Sequence, residues 1–351
     1  MTHYNTVIIG AGFTGLAESK LLQQNGISHT VLEKIDKLGS FLHQTWDSFR
    51  FGMTIDDFKL PGMDLTKKFP KGHRLTRDEA LDVIRNYADG FPIRFNTDVK
   101  SLTPDANGMF HLYIETTVID PYKKTKRLIT ETITANHVVI CTGPHHAAQF
   151  PQWAQVFQHK ATVISRFKNP DSFKDHARIL IVGGGLSALS VAYDLKKQTK
   201  KPLQIIIACG RNDKEIIAEN THLLQDRPDH LMKMLPSHFK ENGIFNMGRV
   251  LSTNHEDILF EATAGKYLFP FSYFDHIILA VGFTHSFSLF KEFPQIKIKN
   301  NLPEHDKCKT TVPNLFVAGI AHTGQKDRVV TINQGTEDAK TVHAYIVRSK
   351  L

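Results

Sequence analysis

The sequence predicts an α/β fold of two parallel-sheet domains, the second inserted in the first, and three observations predict it. Residues 6–22 and 179–195 share one grammar, a β-branched strand that runs into a glycine cluster and then into a helical apolar pattern. Each copy has a companion downstream in which an apolar strand meets a glycine turn, HVVICTGP at 137–144 and DHIILAVGF at 275–283. Strands that alternate with helices imply parallel sheets covered on both faces. After Pro313 come one more apolar strand at 315–318 and a last helix, for which Thr336 is the expected N-cap with Glu337 and Asp338 in the first turn. A strand and a helix are too little for a domain, so this tail is expected to complete the first module. The expected domains are therefore 1–146 with 288–351, and 147–287. Turns expected at 105–108 and 122–127 place a small β-meander before HVVICTGP.

Composition narrows the class. At 351 residues, 41% hydrophobic and 22% charged, the chain suits two domains of roughly 100–200 residues and not a disordered or fibrous protein. Its 43 Lys and Arg outweigh 35 Asp and Glu by +8, yet they are spread along the chain rather than stacked in a tail or stripe. That pattern favours small anionic ligands over nucleic acid. The three cysteines, Cys141, Cys209 and Cys308, form no Cys-x-x-Cys, so a disulfide framework, a zinc knuckle and a dithiol redox pair are not expected. A reducing, cytoplasmic compartment is the expectation. Apolar runs such as 205–209 are strand-length, short of the ~20 residues that span a bilayer. The N-terminal apolar stretch lacks a basic flank and leads into glycines, which suits a strand rather than a signal peptide.

The glycine clusters carry the chemistry. Gly10-x-Gly12-x-x-Gly15 directly follows the strand Val7, Ile8, Ile9 and opens a helix near Leu16. Gly10 permits a tight turn, Gly12 lets backbone approach a pyrophosphate, and Gly15 lets helix and strand pack closely at an anion-attracting helix N-terminus. The next strand, 29–32, ends in Glu33 and Lys34, with the Glu33 carboxylate placed for a ribose hydroxyl. The second cluster, Gly183-x-Gly185-x-x-Ala188, follows 179–182 and has Ser187 at the helix start. Its next strand ends in Cys209, Gly210 and Arg211 instead of an acid. A guanidinium there matches a 2′-phosphate, so NADPH is expected over NADH; the bland alternative is an exposed loop charge. Together these are two Rossmann-like dinucleotide-binding domains.

A family resemblance follows from particular stretches. Leu38, Gly39, Ser40 and Phe41, then Trp46, Asp47, Ser48, Phe49 and Arg50, resemble a signature of bacterial flavin-containing-monooxygenase-like proteins. The stretch 94–99, the turn at Cys141, Thr142 and Gly143, and the second glycine cluster support the likeness. The resemblance implies FAD in the first site, with Ser40, Trp46 and Arg50 near the flavin, Val99 offering backbone contacts to the adenine, and Gly143 beside the cofactor. Gly282 would take the matching place beside NADPH. The tail, 315–321 and 330–335, instead resembles that of bacillithiol-disulfide-reductase-like flavoproteins, which implies flavin contacts from Gly319 and from Ile332 at the last helix. There the N-terminal dipole would stabilise negative charge on reduced flavin. Ile320 stands where thioredoxin-reductase-type proteins carry a ribitol-binding Asp. A further departure is Phe-x-Gly-x-x-x-His, which reads Phe157 to Val163 with His159 and Val163 in place of the Gly and His. This argues against a Baeyer–Villiger enzyme.

The expected function is an FAD-dependent oxidoreductase in which hydride passes from NADPH to flavin and on to an unidentified acceptor. Oxygenation of a small nucleophile is one alternative and a non-catalytic flavin or NADPH sensor another, although two intact fingerprints exceed what a sensor needs. Expected partners are a small-molecule or thiol/disulfide substrate, or an electron-carrier protein; a homo-oligomer is left open. Catalytic residues are not identified, and no metal is expected, since the adjacent His145 and His146 diverge. Cys141 and Cys209 read as small fillers, and Gln325, Lys326, Asp327 and Arg328 as a solvated loop.

Overall fold

The computed structural model describes residues 1–120, 122–123, 125–143, 147–148, 150–157, 163–164, 168–197, 200–219, 232–254, 256–284, 288–299, 302–319 and 331–349. His145, His146, His159, Ile320 and the 325–328 run lie outside them. The chain folds into two compact units, one of Met1–His43, Met53–His146 and His285–Leu351, the other of Gln44–Gly52 and Ala147–Thr284.

The first unit begins with β1 (His3–Ile9), α1 (Phe13–Gln24) and β2 (His29–Leu32). A short helix α2 (Ser40–Gln44) and α3 (Arg77–Tyr87) follow, then β3 (Ile93–Arg94), β4 (Thr97–Pro104), β5 (Phe110–Ile119) and β6 (Lys126–Ile140). Helix α3 starts where the Thr76 hydroxyl and the Glu79 carboxylate cap one another's backbone N–H groups. The sheet runs β3-β2-β1-β6-β5-β4. Strand β6 does two jobs: 126–135 pairs antiparallel with β5 in the meander, while 134–140 pairs parallel with β1. The apolar tip Val138, Val139, Ile140 lies in the core, whereas the start of the strand is exposed.

The second unit carries β7 (Ala147–Ala148), β8 (Val163–Ile164), β9 (Arg178–Val182), α4 (Leu186–Lys197), β10 (Gln204–Ala208), α5 (Asp213–Glu219) and β11 (Ile244–Asn246). It continues through β12 (Arg249–Thr253), β13 (Asp257–Ala262), β14 (Gly265–Pro270), β15 (His276–Leu279) and β16 (Phe283–Thr284). Five strands form a parallel sheet in the order β11-β10-β9-β15-β8, β12-β13-β14 form an antiparallel sheet, and β16 pairs with β7. Ile179, Ile181, Ile205 and Ile207 are buried against Ala188, Leu189 and Ala192 of α4, as expected for a sheet covered by a helix.

The chain then returns to the first unit with a hairpin of β17 (Ile298–Lys299) and β18 (Leu302–Pro303), then β19 (Leu315–Val317) and α6 (Thr331–Arg348). Strand β19 pairs parallel with β6, Val317 opposite Ile140. The expected N-cap at Thr336 is corrected: the helix already runs from Thr331, and Thr336 is an interior residue whose hydroxyl donates to the Lys59 carbonyl at 2.7 Å. Gly335 resembles a helix break in the sequence. Its physical role is close packing, since a Cβ there would stand 2.1 Å from Thr14 Oγ1 of α1.

Candidate cofactor sites

The three glycines of the first fingerprint differ as their distinct roles require. Gly10 has φ of +106°, and a Cβ on it would meet the Cys141 carbonyl oxygen at 2.7 Å. A Cβ on Gly15 would lie 2.0 Å from the Gly10 carbonyl oxygen, so this glycine permits the contact of α1 with the turn. Around Gly12 a Cβ meets nothing within 4 Å. Protein packing among the described residues therefore does not explain Gly12. The Ala11 N–H between them donates to Glu33 Oε2 at 2.9 Å, and Oε1 accepts from the Ile35 N–H at 3.2 Å. Burial pushes the Glu33 carboxyl up, and these backbone donors pull it down. The carboxylate is thus fixed on the turn by two backbone donors.

The remaining residues expected on this side divide. Ser40 opens α2, Val99 lies at an irregularity of β4, and Lys34 pairs with Asp98 at 3.1 Å. Gly143 follows the β6 tip in a left-handed conformation with open space at its Cβ. Gly319, after β19, donates its N–H to Asp338 Oδ2 at 2.8 Å, and Gln334 donates to the other oxygen at 2.9 Å. Asp338 therefore ties the glycine turn to the first turn of α6, where Ile332 is buried. Sequence reading placed Thr336 and Asp338 at a helix start and gave neither this role, and it missed Asn333; Asn333 and Thr336 hold Lys59 by its N–H and its carbonyl, fixing the loop after Gly52 against α6.

Trp46 and Arg50 lie with the second unit, although the expected domain boundaries put them in the first. The reason is a buried acid on α4. Asp194 accepts hydrogen bonds from the Trp46 indole N–H and from the Ser48 hydroxyl. Burial raises its carboxyl, and those two bonds with the Arg50 charge lower it. Lys168 also donates to the Thr45 carbonyl at 2.8 Å. An acid in the otherwise apolar inner face of α4 was the available signal. Asp194→Ala is expected to free this segment and cost about 1–3 kcal/mol of stability. A red-shifted Trp46 emission in a Trp153→Phe background would check it, and an unchanged emission would contradict it.

The second fingerprint repeats the pattern. Gly183, at φ of +144°, would put a Cβ 2.3 Å from the Ala280 carbonyl oxygen, while Gly185 has nothing within 4 Å. Ser187 lies in the first turn of α4, Ala188 is fully buried behind it, and Gly282 follows β15 with positive φ. Arg211 stands beside this cradle, its Cγ and Cδ each 3.2 Å from where a Gly184 Cβ would be. Cys141, Cys209 and Cys308 are buried, and burial raises all three thiols, so none is poised as a thiolate. Among the described residues no helix is long and apolar enough to cross a membrane, and no group of three or more His, Cys, Asp or Glu could hold a metal ion.

Two glycine cradles, each after a parallel strand and before a helix, define a two-dinucleotide flavoprotein. Residues 7–319 match the pyridine nucleotide-disulphide oxidoreductase family, and the chain belongs to it. It is an NAD(P)H-dependent flavoprotein oxidoreductase. The chain is 25% identical over 352 residues to an uncharacterized CzcO-like oxidoreductase of Geobacillus kaustophilus, covering 90% of each chain. It is 29% identical over 199 residues to the probable indole-3-pyruvate monooxygenase YUCCA10 of Arabidopsis thaliana, covering 54% of this chain and 48% of that protein. Among solved structures, the bacillithiol disulfide reductase Bdr of Bacillus cereus superposes with a TM-score of 0.79 at 16% identity, covering 99% and 100% of the two chains. A flavin-containing monooxygenase from Stenotrophomonas maltophilia gives 0.67 at 17% identity, covering 98% and 99%. These superpositions establish the shared fold.

Proposed function

We propose that the first unit binds FAD, the second binds NADPH, and the chain passes reducing equivalents from NADPH to a small-molecule or disulfide acceptor. The observation that carries this reading is the contrast between the cradles, an acid fixed on the first and an arginine beside the second. Bound FAD supplies the two-electron chemistry. Gly12 admits the diphosphate, the α1 N-terminus offers it N–H groups, and Glu33 accepts from the ribose. The N-terminus of α6, which Asp338 ties to the Gly319 turn, would present positive potential to the isoalloxazine. Gly185 and the α4 N-terminus hold the second diphosphate, and Arg211 binds the 2′-phosphate. A visible spectrum of the purified protein followed by anaerobic NADPH addition tests the whole: a flavin spectrum bleached by NADPH is expected, and failure to bind FAD overturns it.

Arg211→Ala is expected to weaken NADPH about ten- to a hundredfold and to spare NADH, because a charge-assisted contact contributes about 1.5–3 kcal/mol. Equal use of both coenzymes before and after the substitution would leave Arg211 a loop charge. Oxygenation of a small nucleophile is the second reading, favoured by the Trp46–Arg50 stretch and by the monooxygenase relatives. Against it stands Val163 in place of the expected histidine. Slow NADPH consumption in air and faster turnover with an artificial electron acceptor are therefore expected. Turnover in air that yields an oxygenated product stoichiometric with NADPH would put the second reading first.

A further inference from the structure

We infer that Arg249 is a second donor to the 2′-phosphate of NADPH, acting beside Arg211; the inference rests on the coenzyme assignment above. Arg211 belongs to the turn after β10, and Arg249, the first residue of β12, packs against that turn. Arg211 leans over Gly184 of the fingerprint, and Arg249 packs on Gly210, where an added Cβ would lie 2.8 Å from the Arg249 Cβ. Asn246 at the end of β11 holds the two backbones together, its Oδ1 accepting from the Cys209 N–H at 3.2 Å and the Gly248 N–H at 3.0 Å.

The Arg249 side chain is 65% exposed and nevertheless fixed in direction. Glu261, opposite it in the β12-β13 ladder, accepts from Nε at 2.8 Å and stands 2.6 Å from Nη2. A carboxylate on that edge of the guanidinium leaves the Nη1 edge for another acceptor, and it lowers the entropy lost when one arrives. A terminal phosphate carries close to two negative charges near neutral pH, more than one guanidinium neutralises. Glu261 offsets one of the two guanidinium charges, so what Arg249 adds to Arg211 is a directed Nη1 donor edge for a phosphate oxygen, which a 2′-hydroxyl does not need.

The test is calorimetric binding of two probes, adenosine 2′,5′-bisphosphate and ADP, to the wild-type protein and to Arg249→Ala. The expected result is binding of the bisphosphate weakened about tenfold or more in the variant, with ADP binding unchanged. The unchanged ADP affinity doubles as the check that the variant is folded. Wild type that prefers the bisphosphate, paired with a variant that keeps the full preference or loses both probes equally, overturns the role of Arg249 alone. Wild type that does not distinguish the probes overturns the NADPH assignment and this inference with it.

Discussion

Gly12→Val is expected to give a folded protein that carries no flavin, whereas Gly15→Val is expected to give little folded protein. The two residues belong to one fingerprint, but their surroundings differ. A Cβ at Gly12 enters space that no atom of the described residues occupies within 4 Å, so the cost to the fold is about that of a poorer N-cap on α1. The same side chain fills the volume that the diphosphate needs. Overpacking of even one or two methyl groups costs about 1–3 kcal/mol against soft side chains. Against a diphosphate held by backbone N–H groups there is less room to yield, and affinity is expected to fall by about a hundredfold or more. At Gly15 the added carbon would lie 2.0 Å from the Gly10 carbonyl oxygen, so α1 must separate from the turn. Absorbance at the flavin band, circular dichroism and thermal melting separate the two outcomes. Retention of flavin by Gly12→Val would remove the first unit as the FAD site. Gly185→Val is expected to keep flavin and abolish its reduction by NADPH; loss of both would mean that the two sites are wrongly assigned.

Glu18→Met is expected to stabilise the protein, and more so at high pH. Glu18 lies on α1, fully buried, and among the described residues neither of its carboxylate oxygens has a hydrogen-bond partner. Burial alone pushes its carboxyl well above the usual glutamate range. The folded carboxyl therefore binds its proton more tightly than the unfolded one. The stability this group contributes is complete below the unfolded pKa, about 4.3, and is lost as pH rises through the raised folded value. Removing the carboxyl removes that loss and the cost of an unsatisfied buried polar group, about 1–3 kcal/mol. Melting temperatures of wild type and variant are expected to diverge as pH increases from about 4.3. Glu33, Asp194 and Asp338 also have raised carboxyls, so the difference between the two proteins is the quantity to read. Parallel profiles would mean that Glu18 has found a compensating partner.

Both nucleotide fingerprints and their flanking strands were legible because each depends on local chemistry. A strand, a turn and a helix within about 20 residues leave a pattern of β-branched, glycine and apolar positions that the tertiary fold does not need to supply. The strands 29–32 and 204–208, the turn at 105–108 and the return of 315–317 to the sheet appear where the sequence places them, whereas 126 and 127 of the expected second turn already belong to β6. The placement of Trp46 was not legible, since it depends on Asp194, far away in sequence and brought close only by folding. Asp338 was hidden for the same reason, its backbone partner being the turn at Gly319.

The sequence by itself determined the class of protein, the two cradles and the opposite charges of Glu33 and Arg211 at their second strands. Tertiary structure alone decided where α6 begins and which unit holds residues 44–52. Gly335 and Thr336 look like a helix start because glycine disfavours helix interiors and threonine caps them. The close approach of Thr14 outweighs that preference, since only a residue without a Cβ lets α1 and α6 touch there. Local propensity amounts to about 1 kcal/mol at such a position, and the packing of two helices is worth several times more.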